Sequence, residues 1–96
     1  MEKIILEVKA GEFDRTIEIY RRPKINDVDV ITRRIFLHLG AAAKDAGFPL
    51  DYFDSQESIS FRMSYEGRVE TEVFNSVDEM FRNVHIMVDN IIVVEN

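Results

Sequence analysis

Two histidines, His38 and His85, and three carboxylates spaced three apart, Asp51, Asp54 and Glu57, are the residues here whose types could do chemistry. Two imidazoles and a carboxylate could hold a metal, and carboxylates on one side of a turn could hold a cation. Neither set is complete. A metal site needs more ligands at fixed geometry, and a calcium loop needs denser oxygens and a glycine at its sharp turn. His38 shares a helical face with Ile31, Ile35 and Ala42, and His85 lies between Val84 and Ile86. That pattern reads as two partly buried histidines with local hydrogen-bond partners. Nucleophilic catalysis needs an activated Ser or Cys beside a base. The chain has no cysteine, and Ser55, Ser58, Ser60, Ser64 and Ser76 lie outside any glycine elbow. Its glycines are isolated, so no phosphate loop is present. The expectation is a non-catalytic protein with no cofactor and no metal.

Charged and aromatic residues offer other surfaces. Arg21, Arg22, Lys24, Arg33 and Arg34 form the one basic concentration, around Pro23 and next to a helix start, where an anion could sit on unpaired N–H groups. Asp27 and Asp29 compete for that position. Tyr20 and Phe74 fall at matching places in two hairpins, in opposite parity to Ile19 and Val73. With Ile19 and Val73 inward, the two aromatics would share the outer sheet face with Glu18, Glu70 and Glu72, an apolar spot rimmed by charge that suits a partner.

Net charge at pH 7 is −6, and it is unevenly placed: residues 1–48 carry nine Lys/Arg against eight Asp/Glu, residues 49–96 three against ten. Carboxylates repel phosphate, so direct nucleic-acid binding by the second half is disfavoured, whereas a basic protein surface would suit it. The acidic surface would begin at Asp51, Asp54 and Glu57. The same charge also serves solubility. No apolar run approaches the roughly 20 residues of a spanning helix, and the one in "MEKIILEVK" is too short for a signal segment. A soluble, cytoplasmic protein is expected, without membrane contact.

The elements that must position these groups follow from periodicity. Ile4, Leu6 and Val8 alternate before a glycine turn, and Ile17 and Ile19 after it, which predicts a β-hairpin. "NDVDVITRRIFLHLGAAAKDAG" then places Val28, Ile31, Ile35, Leu39, Ala42 and Ala46 on one helical stripe, with Asn26 or Asp27 to cap and Gly47 to close. Gly40 to Ala43 make a smooth patch on it. Ile59, Phe61, Met63 and Tyr65 alternate in a second hairpin that returns through Val69, Thr71 and Val73 after Gly67. Ser76 and Glu79 have capping-box spacing ahead of a second helix to about residue 92, with a short terminal strand over the β-branched end as the competing reading.

The expected fold is α+β, a ββαββα chain forming a four-stranded, mostly antiparallel sheet with two helices on one face. One domain, 1–96, is built as two hairpin–helix units, about 1–47 and 58–96, joined by 48–57. Superposing Ile5 on Ile59 matches Glu12 with Glu66 and Glu18 with Glu72, a weak trace of duplication. The second helix is apolar over more than one face, so Met80, Val84, Met87, Val88, Ile91 and Ile92 are expected to bury the surplus in a homodimer. Together these features point to a small acidic interaction or regulatory module, in its sharper form an inhibitor presenting carboxylates to a basic, nucleic-acid-binding partner. The alternative is a small-molecule or anion-binding regulator.

Overall fold

Strand alternation and two tight turns build the sheet in this computed structural model, which describes residues 2–21 and 28–92. The strands are β1 (Glu2–Ala10), β2 (Phe13–Arg21), β3 (Ile59–Tyr65) and β4 (Arg68–Phe74); the helices are α1 (Val28–Asp45) and α2 (Val77–Ile92). The order is ββαββα, as the periodicity predicts. All three strand pairings are antiparallel, and the order across the sheet is β2-β1-β3-β4. The two hairpins thus lie side by side, joined along the β1–β3 seam, with β2 and β4 as the edges.

Both hairpin turns have two residues, and both use backbone with positive φ. Gly11 leads the first turn at φ 61°; Glu66 and Gly67 form the second at 49° and 79°. Such turns match the right-handed twist of paired strands, and glycine enters that region without a Cβ clash. Glycine therefore comes first in one turn and second in the other, a detail that decides the phase of β4.

One face of the sheet is buried under the helices. Ile4, Leu6, Val8 and Ala10 of β1, Phe13, Ile17 and Ile19 of β2, and Ile59, Phe61, Met63 and Tyr65 of β3 all point inward. They meet Ile31, Ile35, Leu39 and Ala43 of α1 and Met80, Val84, Met87, Val88, Ile91 and Ile92 of α2 in one continuous core. Helix α1 lies against β2, while α2 lies against β3 and β4.

The helix ends show why the sequence stops where it does. Gly47 adopts φ 83° after α1, its N–H bonding the Lys44 carbonyl at 3.0 Å and the Phe48 N–H reaching Ala43 O at 2.9 Å. This paired closure satisfies carbonyls that the helix leaves open. At the start of α2, Ser76 Oγ accepts from the Glu79 N–H at 3.1 Å, and Glu79 Oε2 accepts from the Asn75 N–H at 3.4 Å. The capping spacing is realised, with the glutamate reaching one residue further back than expected. Helix α1 runs unbroken through Gly40, and α2 is helical to Ile92, the last described residue. The capping residues Asn26 and Asp27, and the end of the chain where a terminal strand competes, lie outside the described residues. Among the described residues, no helix is long and apolar enough to cross a membrane.

The returning strand β4 has the opposite phase to the one its valines suggest. Phe74 pairs with inward-facing Ile59 and is 1% exposed, with its ring 5.4 Å from that of Phe61. Val69 and Val73 instead stand half exposed on the open face. Matching the residues that flank the two turns superposes Ala10 on Tyr65, and so Ile19 on Phe74. Placing Ile5 on Ile59 is one residue out, and in a strand such a slip exchanges the two faces.

Candidate partner-binding site

The connection that carries Asp51, Asp54 and Glu57 is a structural clamp. Pro49 bars the first helix from continuing, and Tyr52–Ser55 form a single 3-10 turn. Three residues per turn stack Asp51 over Asp54 on the exposed side, while Glu57 lies beyond the turn. Tyr52 and Phe53 point the other way, into an aromatic cluster. The Phe13 ring meets Phe48 at 5.4 Å and Phe53 at 5.2 Å, and Tyr52 meets Phe48 at 4.5 Å, all edge-on. The Tyr52 hydroxyl donates to Ala10 O at 2.7 Å and accepts from the Glu12 N–H at 3.0 Å, tying the connection to the first hairpin turn. A Cβ at Gly11 would stand 2.6 Å from that hydroxyl, so the contact as well as the dihedral requires glycine there.

Tyr20 and Phe74 do not form one spot. They lie on opposite edge strands and opposite faces of the sheet, because Phe74 is in the core and Tyr20 is outside. Glu18 stays with Tyr20, accepting from its hydroxyl at 3.1 Å and from Lys3 Nζ at 3.1 Å. The hydrogen bond from Lys3, then that from Tyr20, lowers the Glu18 pKa, and the Glu18 hydrogen bond raises that of Lys3. The Glu18 contribution to stability is lost as pH falls through its lowered value, and that of Lys3 as pH rises through its raised one. The pair is therefore whole between the ordinary values of 4.5 and 10.5. Arg62 Nη1 meets Glu7 Oε2 at 2.8 Å on the same face. The open face carries as many cations (Lys3, Lys9, Arg62) as carboxylates (Glu7, Asp14, Glu18), so it is not the acidic surface. A shallow groove of about 420 Å³ crosses it between Lys9, Ser60, Arg62, Thr71 and Val73.

The six residues assigned to a homodimer, Met80, Val84, Met87, Val88, Ile91 and Ile92, are all buried within the single chain, none above 4% exposed. The sheet and α1 suffice to cover them, so they form no surface for a second copy. His38 and His85 are exposed on separate helices, away from the core edge expected for His38. No group of three or more His, Asp or Glu among the described residues could hold a metal ion. Of the basic junction, Arg22, Lys24 and the Arg21 side chain lie outside the described residues. Arg33 and Arg34 are exposed on α1, and Arg34 Nη1 donates to Tyr20 O at 3.2 Å.

Glu70 and Glu72 move to a more informative place. The phase of β4 turns them to the helix side, where they line a groove of about 180 Å³ against α2. The helix wall is Asn83, Ile86, Met87 and Asn90, residues at steps of three and four on one helical face. Met87 forms a buried floor and Ile86 is half exposed. No cation pairs with either glutamate among the described residues. Sequence reasoning missed Asn83, Ile86 and Asn90, although their helical spacing was available as a signal. Compared with protein-family models, with curated proteins and with solved structures, the chain matches none.

Proposed function

We propose that this protein is a non-catalytic interaction module that presents an acidic groove to a basic partner protein. The observation that supports the reading is the position of Glu70 and Glu72. Among the described residues, the two carboxylates have no ion-pair partner, and they stand on the rim of a groove whose floor is apolar. Lysine and arginine have the complementary form: an aliphatic stem that can lie on Ile86 and Met87, and a charged head that can reach the glutamates. The acidic excess of residues 49–96 would draw such a partner in over longer range.

Binding of fluorescein-labelled lysine-containing peptides, followed by anisotropy at low and at near-physiological salt, tests this. Affinity is expected to fall as salt shortens the screening length toward about 8 Å. It should also fall several-fold in the doubly neutralised variant Glu70→Gln/Glu72→Gln. Binding indifferent both to salt and to that variant would remove the basis for the reading.

A further inference from the structure

The rim of that groove is also a sheet edge, and we propose that β4 receives an extended segment of the basic partner as a fifth strand. The proposal rests on the function proposed above and adds the mode of binding. The two-residue turn at Glu66–Gly67 makes Tyr65 and Arg68 a hydrogen-bonded pair, and ladder groups then alternate along the strand. Backbone groups of Arg68, Glu70 and Glu72 point to β3. Those of Val69, Thr71 and Val73 point outward, where an added strand would pair with them. The same alternation applied to β2 sends the Tyr20 carbonyl outward, where Arg34 donates to it. The β2 edge thus carries a side chain on its backbone at that point.

Side-chain chemistry then fixes the occupant. A strand laid along β4 sets alternate side chains directly opposite Glu70 and Glu72, at the distance of cross-strand pairs. Two cations separated by one residue fit there, with their stems toward Ile86 between Asn83 and Asn90. On the other face the added strand meets exposed Val69, Thr71 and Val73, which suit β-branched neighbours. A second copy of β4 is a poor occupant, because it would bring glutamates to glutamates. Inward-facing charge on an edge strand guards against self-pairing; here it also selects an opposite partner.

The test uses three eight-residue peptides that share one set of side chains. One has lysines on alternate positions flanking a valine, one has the lysines adjacent, and one repeats the first with its pairing amides N-methylated. The first is expected to bind about tenfold or more tightly than the third, since each lost hydrogen bond costs about 1 kcal/mol. It should also outbind the second. On its addition the Val69, Thr71 and Val73 amides should gain protection from hydrogen exchange. Thr71→Pro, which removes an outward N–H without touching the β3 ladder, should weaken binding to a similar degree. Should that variant fail to fold, the methylated peptide carries the same comparison. Equal binding of all three peptides would overturn strand addition while leaving the basic-partner reading intact. Failure of every lysine peptide at low salt would overturn both.

Discussion

At the scale of single residues, Tyr52 has the longest reach of any polar side chain in the connection. Its hydroxyl bridges two backbone groups on either side of Gly11, more than forty positions from one and forty from the other. Removing that hydroxyl leaves a part-buried Ala10 carbonyl with one partner fewer. Tyr52→Phe is therefore expected to cost about 1–2 kcal/mol, read as a lower urea midpoint at unchanged slope. An unchanged midpoint would mean that water replaces the hydroxyl at no cost. No spacing in "PLDYFDSQES" announces this role. The acidic residues draw the eye because they recur every third position, but they face water, and the aromatic pair between them does the tying. A tyrosine hydroxyl that bonds backbone across the fold leaves no local pattern, since its partners are identified by position and not by residue type.

At the scale of elements, β4 shows what periodicity can and cannot convey. Its valines and threonine alternate as cleanly as the inward residues of β3, and alternation gives the strand but not which face is buried. The phase had to come from the turn, where the glycine trails instead of leading. Phe74→Ala is expected to cost about 3–5 kcal/mol, as for other fully buried aromatics, whereas Val73→Ala should stay within about 0.5 kcal/mol. Equilibrium denaturation of the two variants separates the phases, because the opposite face assignment reverses the order. The hairpins, both helices, the closure of α1 at Gly47 and the cap of α2 at Ser76 were legible because they rest on local spacing and local hydrogen bonds. The candidate groove was not, because it forms where an edge strand and a helix meet. Surplus apolar surface on α2 was misassigned for a related reason. A helix seated over β3 and β4 and beside α1 is covered on more than one side by its own chain, and composition alone does not count those neighbours.

At the scale of the whole molecule, the fold seats the two halves of the chain side by side in one sheet. The near-neutral half supplies β2 and β1, and the acidic half supplies β3, β4 and α2, so Glu70 and Glu72 stand at the edge farthest from β2. The join between the halves is the β1–β3 seam, where Glu7 meets Arg62 at a separation of 55 residues. That seam carries a consequence for the order of events in folding. Each hairpin closes a two-residue turn and can form in about 1–10 μs, whereas the seam must first bring distant segments together against chain entropy. The barrier to folding is therefore expected at the meeting of two preformed halves. Met63, paired with Leu6 across the seam, is the place to probe it. Met63→Ala should slow refolding in stopped-flow measurements, and a change confined to the unfolding rate would place the seam after the barrier. Until the halves meet, β1 and β3 each expose one unpaired edge, so the step expected to be slowest is also the moment at which the chain is most open to pairing with the wrong neighbour.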